Sequence, residues 1–123
     1  MTAQKQILLV EDDRFLRRAC EASLLQRGLA VAIAGNGEDG LRLARERRFD
    51  LILLDWLMPK MPGMEVLAGL KADAATAAIP VLILSYSSRD EDRHRALEMG
   101  ATGYFVKANL SLKALCGEIE RLL

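Results

Sequence analysis

Acidic, hydroxyl and ammonium side chains come directly after four short apolar runs of the sequence. In chain order these polar residues are Glu11, Asp12, Asp13, Asp55, Ser85 and Lys107. If the runs are neighbouring strands, the four carboxylates meet, and each pair about 4 Å apart repels by about 4 kcal/mol at an effective dielectric constant of about 20. Such a cluster persists only if one acid is protonated or a cation neutralises it. Asp13 is equally well explained as a solvated loop residue.

The ligand types indicate which cation the cluster would take. Mg²⁺ binds through few carboxylates, keeps several waters and bridges phosphate oxygens, and Mn²⁺ accepts similar ligands. Zn²⁺ would need histidine or cysteine ligands, and the single histidine, His94, lies in a polar stretch. We therefore predict Mg²⁺, or Mn²⁺ in its place, held directly or through water by Glu11 and Asp12.

Asp55 has the sequence context of a nucleophile. It follows four aliphatic residues, Leu51–Leu54, which would bury it at a strand end. A carboxylate in such a position can attack phosphorus and form an acyl phosphate. The cation and the Lys107 ammonium would offset charge on the transferred group, and the Ser85 hydroxyl would bond one of its oxygens. These residues together predict phosphoryl transfer to Asp55.

The apolar runs predict strands, and the amphipathic stretches between them predict helices. The predicted strands are Ile7–Val10, Ala30–Ala34, Leu51–Leu54, Val81–Leu84 and Tyr104–Val106. The predicted helices are Phe15–Gln26, Glu38–Arg47, Met64–Lys71, Arg89–Met99 and Leu112–Leu122. This alternation predicts an α/β fold, a (βα)5 doubly wound five-stranded parallel sheet with helices on both faces. The polar residues then lie at the carboxyl edge of the sheet, where such folds bind ligands.

Length and composition limit the other possibilities. The 123 residues fit one domain, residues 1–123, and 51% hydrophobic residues supply its core. Seventeen Lys and Arg against seventeen Asp and Glu give a net charge of zero, which argues against direct binding to nucleic acid or to anionic membranes. No apolar run of the sequence approaches the roughly 18 residues of a membrane span. Cys20 and Cys116 lack a CxxC spacing and fit reduced core thiols of a cytoplasmic protein.

In their order and spacing, these motifs resemble the receiver domain of two-component response regulators, in particular single-domain receivers of the chemotaxis type. The likeness covers almost the whole chain. Its segments are Glu11-Asp12-Asp13 after the first strand, Asp55-Trp56-Leu57-Met58-Pro59-Lys60-Met61-Pro62-Gly63 after the third, Ser85 after the fourth, and Gly100-Ala101 with Tyr104-Phe105-Val106-Lys107 around the fifth. The resemblance implies a flavodoxin-like fold.

The resemblance also implies a role for each residue of the acidic edge. Asp55 would be the phosphoacceptor, and the donor would be a phosphohistidine of a histidine kinase or of a histidine phosphotransfer protein. Glu11 and Asp12 would be the acidic pair, with Asp12 a direct ligand of the cation. Asp55 and the backbone carbonyl of Leu57 would be further ligands, and Lys107 would contact the phosphoryl group.

Ser85 and Tyr104 match the two switch residues of the family. Their coupled movement would carry the signal to the surface formed by helix four, strand five and helix five. Slow self-dephosphorylation would reset the state. A receiver of this kind is a regulator, not an enzyme, and its downstream target would be a protein.

Three positions depart from the usual receiver pattern. Ala108 follows Lys107 where the family usually has a proline after a cis bond. A cis bond to alanine would cost about 2.5–4 kcal/mol, so the lysine loop is expected to be trans and shifted or to carry that strain. Tyr86 stands where the family prefers a small residue, and its ring is expected to narrow access to Asp55. Glu11 replaces the commoner aspartate, which is a familiar variant.

Other functions remain as alternatives. The Ala108 and Tyr86 changes support a degenerate receiver that binds proteins without being phosphorylated. A dinucleotide site is a second alternative, because the segment from Gly35 to Gly40 matches GxGxxG after a strand. Its two acids would repel a pyrophosphate, so a tight turn into the second helix is the preferred interpretation. An aspartate-nucleophile phosphatase would need a second aspartate where this sequence has Leu57.

Overall fold

The structure is a computed structural model that describes residues 4–123. Within this range, the strands are β1 Gln6–Val10, β2 Ala30–Ala34, β3 Leu51–Asp55, β4 Val81–Ser85 and β5 Gly103–Val106. The helices are α1 Arg14–Gln26, α2 Gly37–Glu46, α3 Gly63–Ala72, α4 Asp90–Glu98 and α5 Leu112–Leu122, and a short 3₁₀ turn covers Lys107–Asn109. Every predicted strand and helix is present, with ends that differ by at most one residue.

The five described strands form one parallel sheet in the order β2-β1-β3-β4-β5. β1 pairs with β2 on one side and with β3 on the other, so the chain reverses its direction across the sheet between β1 and β3. In doubly wound sheets, ligands bind in the crevice beyond the carboxyl ends of the strands at such a reversal. The predicted (βα)5 flavodoxin-like fold is confirmed.

Helices cover both faces of the sheet because the strand side chains alternate between two apolar cores. Leu8 and Ile52 pack on one face with residues of α2, α3 and α4. Leu9 and Leu53 pack on the other face with residues of α1 and α5. The inner strands β3 and β4 are buried at every position, whereas β5 at the sheet edge is half-buried throughout. Continuous apolar runs are typical of such doubly covered parallel strands.

Side-chain caps and glycines fix where several helices begin and end. Asp13 caps α1, Asn36 caps α2 and Ser111 caps α5, and each side chain accepts hydrogen bonds from backbone N–H groups of the first turn. Gly28 follows α1 at φ 80°, and Gly100 follows α4 at φ 104°. Only glycine adopts this left-handed conformation without a steric penalty.

The glycine segment from Gly35 to Gly40 serves packing. A Cβ on Gly37 would lie 2.5 Å from the Met61 carbonyl oxygen, and a Cβ on Gly40 would lie 2.7 Å from the Val10 side chain. The close approach of α2 to β1 and to the loop after β3, rather than a tight turn, therefore requires glycine at these two positions.

Both cysteines are free and buried in the core under α1 and α5. Burial raises the pKa of the Cys20 thiol to about 12, and burial also raises the pKa of Cys116. They are core thiols, as predicted. Among residues 4–123, no helix combines the length and the apolar character that crossing a bilayer requires.

Candidate functional site

The strand ends bring the predicted polar residues to one edge of the sheet. Asp55 ends β3 and Ser85 ends β4, while Glu11 directly follows β1 and Lys107 directly follows β5. These four strands are parallel neighbours. Because side chains alternate along a strand, Glu11, Asp55 and Lys107 continue the face that α1 and α5 cover, and Ser85 continues the opposite face.

Three carboxylates meet at this edge. Glu11, Asp12 and Asp55 each offer one oxygen, and these oxygens lie within 4.8 Å of one another. Glu11 and Asp55 are buried, whereas Asp12 is exposed. Oδ2 of Asp55 has no hydrogen-bond partner among the described residues. A buried carboxylate oxygen without a partner, next to two further carboxylates, fits a hard cation such as Mg²⁺, which takes oxygen ligands.

Crowding and burial raise the pKa of two of these acids. The neighbouring Asp55 carboxylate raises the pKa of Asp12 above its ordinary value, and partial burial adds to the increase. Burial raises the pKa of Asp55 as well. The charged form of Asp12 is disfavoured mainly by the negative charge beside it, and that of Asp55 mainly by the poor access of water. A cation bound among the three carboxylates would offset this repulsion.

Lys107 is buried between two of the carboxylates. Its Nζ donates hydrogen bonds to Asp55 Oδ1 at 2.9 Å and to Glu11 Oε2 at 3.1 Å, and it lies 2.9 Å from Glu11 Oε1. The side chain is 4% exposed. Burial alone would lower the pKa of Lys107, but the two acidic partners raise it above its ordinary value. The ammonium therefore remains charged beside Asp55.

Alanine after Lys107 does not move the lysine away from the acids. None of the peptide bonds within residues 4–123 is cis, and Lys107, Ala108 and Asn109 form the 3₁₀ turn. From this trans backbone the Lys107 side chain reaches Asp55. Of the two alternatives for this loop, the structure has the trans backbone, and the lysine keeps its contact with Asp55 from the 3₁₀ turn.

Asp13 does not join the acidic cluster. Its carboxylate accepts hydrogen bonds from the N–H groups of Phe15 at 2.9 Å and Leu16 at 3.3 Å. Its own N–H donates to Glu11 Oε2 at 3.0 Å. The prediction of four converging carboxylates is therefore corrected to three. The physical reason is that α1 begins directly after Asp13, and the free N–H groups of a helix start attract an acidic side chain.

The loop after β3 folds back onto the Asp55 backbone. The N–H of Leu57 donates to Asp55 Oδ1 at 3.3 Å, and the N–H of Gly63 donates to the Trp56 carbonyl at 2.9 Å. A Cβ on Gly63 would lie 2.4 Å from the Asp55 carbonyl oxygen. Sequence reasoning included Gly63 in the motif but missed this contact, which requires glycine. The Leu57 carbonyl as a cation ligand stays a prediction.

Ser85 and Tyr104 are joined through Ser87, in the loop between β4 and α4. The buried Ser85 Oγ accepts a hydrogen bond from the N–H of Ser87 at 3.0 Å, and the Tyr104 hydroxyl donates to the Ser87 carbonyl at 2.9 Å. The Ser87 hydroxyl donates to Asp92 in α4. Sequence reasoning missed Ser87. Its only signal is the position two residues after Ser85, where a serine hydroxyl can accept a backbone N–H.

Tyr86 lies over Lys107. Nζ of Lys107 is 4.9 Å from the centre of the Tyr86 ring, within the range of a cation–π interaction. The ring is 61% exposed. The narrowing of access to Asp55 stays a prediction, whereas the contact with the lysine is a feature that sequence reasoning missed.

A comparison with known families explains why these residues occur together. The family model of the response regulator receiver domain matches residues 7–120. The chain belongs to this family. Receiver domains act in two-component signalling as phosphoacceptors rather than as enzymes, take the phosphoryl group from histidine kinases and generally bind Mg²⁺ in an acidic pocket.

Relatives and solved structures agree with this assignment. The transcriptional regulatory protein AfsQ1 of Streptomyces coelicolor is 44% identical over 101 residues, which are 82% of this chain and 44% of that protein. The gliding motility regulatory protein of Myxococcus xanthus is 38% identical over 121 residues, 98% of this chain and 16% of that protein. This receiver thus spans less than half the length of either relative. The chemotaxis protein CheY4 of Vibrio cholerae superposes with a TM-score of 0.91 at 29% identity, covering 98% of this chain and 100% of that one.

Proposed function

We propose that Asp55 of this receiver accepts a phosphoryl group from a phosphohistidine, on a histidine kinase or on a histidine phosphotransfer protein. The observation that carries the proposal is a buried carboxylate with one oxygen free of hydrogen bonds, beside a buried ammonium. Oδ1 of Asp55 is engaged by Lys107 and by the N–H of Leu57, so the carboxylate is held in a fixed orientation. A nucleophile held in this way loses little freedom when it reacts.

The proposed transfer is a single displacement at phosphorus. An Asp55 oxygen forms a bond to phosphorus while the N–P bond of the donor breaks, and the electron pair returns to the imidazole, which takes up a proton. Lys107 is within reach of the oxygens of the transferred group and would offset their charge. Ser85 accepts a hydrogen bond from Ser87, so its own hydroxyl hydrogen is available to one of these oxygens.

Glu11, Asp12 and Asp55 are proposed to hold Mg²⁺, or Mn²⁺, with the Leu57 carbonyl as a further ligand. When bound, the cation would neutralise charge on the phosphoryl oxygens and on the acids. Asp12 is exposed and would contact the ion directly. The Glu11 carboxylate already accepts hydrogen bonds from Lys107 and from the N–H of Asp13, which favours contact through water.

Ser85 and Tyr104 are proposed to report the phosphorylation state. A phosphoryl group on Asp55 would draw the Ser85 hydroxyl toward itself and disturb the hydrogen bond from Ser87. Ser87 also binds the Tyr104 hydroxyl through its carbonyl and Asp92 through its hydroxyl. Movement of this loop would therefore change the surface formed by α4, β5 and α5, which is proposed to bind a downstream protein.

Residues 1–123 are proposed to form one receiver domain, of which residues 1–3 lie outside the described residues. The proposed location is the cytoplasm, and slow self-dephosphorylation is proposed to reset the signal. The net charge of zero supports a protein target rather than direct binding to nucleic acid or to a membrane.

Trp56 provides a test, because it is buried directly after Asp55. Mg²⁺ with beryllofluoride, a mimic of the phosphoryl group, is expected to change Trp56 fluorescence in the wild type and not in Asp55→Asn. Asp13→Asn is the matched control, since it makes the same chemical change outside the cluster and asparagine keeps the helix cap. A wild type that binds neither Mg²⁺ nor beryllofluoride would support the alternative, a degenerate receiver that binds proteins without phosphorylation.

A further inference from the structure

The ring of Tyr86 packs against the ammonium of Lys107 beside the three carboxylates. Nζ lies 4.9 Å from the ring centre. The ring is largely exposed, whereas the Lys107 side chain is almost fully buried. The exposed ring therefore contacts a buried ammonium.

Strand register explains why these two residues meet. β4 and β5 pair in parallel, with Leu84 opposite Phe105. Both of these residues face the core under α1 and α5. Tyr86 directly follows β4 and Lys107 directly follows β5, each two residues further along the same alternation, so both side chains lie on this face at the open end of the sheet.

The contacts of Lys107 show what the ring contributes. A lysine ammonium has three donors on a flexible stem. Here the donors serve Asp55 and Glu11, and a phosphoryl group would draw some of them to its own oxygens. The face of an aromatic ring attracts a cation and takes up none of its hydrogen bonds to oxygen. A ring in this place can restrain the ammonium and leave its donors free for the reaction.

We propose that Tyr86 is a positioning residue for Lys107, whose ring face holds the ammonium beside Asp55 during phosphoryl transfer. This role rests on the proposed function and adds to it a residue outside the acidic cluster. Its effect on the rate of phosphoryl transfer is opposite to that of simple obstruction. A ring that only narrowed access to Asp55 would slow the transfer, whereas a ring that positions Lys107 accelerates it.

The test uses acetyl phosphate with Mg²⁺ and follows Trp56 fluorescence. In this reaction the O–P bond to Asp55 forms, the acyl O–P bond breaks, and acetate leaves with the electron pair. Tyr86→Phe keeps the ring face and is expected to match the wild type. Tyr86→Leu keeps an apolar side chain without a ring and is expected to react about 2- to 30-fold more slowly, the range for loss of a cation–π contact.

Phe15→Leu is the matched control for the loss of an exposed aromatic ring. Phe15 is 83% exposed in the first turn of α1 and makes no cation–π contact with a described residue. A small donor needs no docking surface, so this variant is expected to react like the wild type. Equal slowing by Phe15→Leu and Tyr86→Leu would overturn the specific role of Tyr86.

Two further readouts separate positioning from a structural role. Adding Tyr86→Leu to Lys107→Met is expected to cause no further slowing, because the ring acts through the lysine. In NMR spectra, the Lys107 methylene protons beside Nζ are expected upfield in the wild type and in Tyr86→Phe, and not in Tyr86→Leu. Additive slowing in the double variant, or equal proton shifts in all three proteins, would overturn the role.

The outcomes distinguish this role from the proposed function. If the wild type reacts and Tyr86→Leu reacts equally fast or faster, the role of Tyr86 is overturned and the proposed function stands. If the folded wild type accepts no phosphoryl group, the proposed function is overturned and the role of Tyr86 with it.

Discussion

The two ends of the sheet each hold a lysine that is at least partly buried, and the two lysines have opposite surroundings. At the amino ends of the strands, Nζ of Lys71 donates to two backbone carbonyls of the α3–β4 loop at 2.9 and 3.1 Å, and burial lowers its pKa. At the carboxyl ends, burial would also lower the pKa of Lys107, but hydrogen bonds to Asp55 and Glu11 raise it. One lysine closes a loop, and the other balances charge.

The buried side-chain oxygens at the two ends of the sheet also differ in their hydrogen-bond partners. The Thr76 hydroxyl, near Lys71, donates to the Leu70 carbonyl at 2.6 Å and is satisfied by a neutral partner. Oδ2 of Asp55 has no hydrogen-bond partner among the described residues. Buried polar groups with complete, neutral partners stabilise the fold. Buried groups with charged and incomplete partners mark the place where a cation or a phosphoryl group can bind, at some cost in stability.

Replacing each lysine by methionine has the largest expected effect. Lys107→Met removes the cation beside Asp55 and is expected to slow phosphorylation by acetyl phosphate about 100-fold or more, the scale for loss of a preorganised electrostatic contact. Lys71→Met leaves two carbonyls without a donor and is expected to lower the free energy of unfolding by about 1–3 kcal/mol without changing the rate. Trp56 fluorescence gives the rates, and urea unfolding gives the free energies. Equal rates for the two variants would contradict the contrast between the two ends.

A glycine at each end gives the next test. A Cβ on Gly63 would meet the Asp55 backbone, which cannot yield without moving the nucleophile. Gly63→Ala is expected to lower the free energy of unfolding by about 3 kcal/mol and to slow phosphorylation. Gly100, at positive φ, meets only the flexible stem of Lys71. Gly100→Ala is expected to cost about 1–2 kcal/mol for its backbone conformation, with an unchanged rate. Slower phosphorylation in Gly100→Ala would show that the two ends are not independent.

The smallest expected effect is an increase, not a decrease, in the free energy of unfolding. The neighbouring Asp55 carboxylate raises the pKa of Asp12, so the charged form of Asp12 is less stable in the folded chain than in the unfolded chain. In EDTA at neutral pH, Asp12→Asn is therefore expected to unfold with a higher free energy than the wild type. Because Asp12 is exposed, the gain is no more than about 1 kcal/mol. A lower free energy of unfolding for Asp12→Asn would mean that repulsion among the carboxylates does not oppose folding.

Stabilisation by Mg²⁺ also distinguishes acids inside the cluster from an acid outside it. At a given concentration, a ligand that binds the folded state more tightly stabilises the protein more, so Mg²⁺ is expected to stabilise the wild type more than Asp12→Asn. Asp13→Asn, outside the cluster, is expected to respond like the wild type. Urea unfolding with and without Mg²⁺ measures both responses, and an equal increase in all three proteins would place the cation elsewhere.

Strand ends account for most of what the sequence could predict. A run such as Leu51–Leu54 is apolar at every position, which is typical of a parallel strand covered on both faces. The residue after each run then lies at the carboxyl edge of the sheet, whatever the loops do. The fold class and the meeting of Glu11, Asp12, Asp55 and Lys107 follow from this rule.

Local hydrogen bonds and strand register account for what the sequence could not predict. Asp12 and Asp13 are neighbours of one residue type, and only the start of α1 assigns Asp13 to a helix cap. The size of Tyr86 suggested that its ring narrows access to Asp55, but the pairing of β4 with β5 places the ring over Lys107. The segment from Gly35 to Gly40 matched a nucleotide motif because the packing contacts that require glycine are distant in sequence.

Locating the phosphoryl group on the chain tests directly whether Asp55 is the phosphoacceptor. The protein is incubated with Mg²⁺ and acetyl phosphate, and the modified residue is identified by peptide mass spectrometry. We expect one phosphoryl group, on Asp55, and none on Asp55→Asn. A phosphoryl group on Asp12 or Glu11, or no phosphoryl group on a folded wild type that binds Mg²⁺, would contradict this expectation.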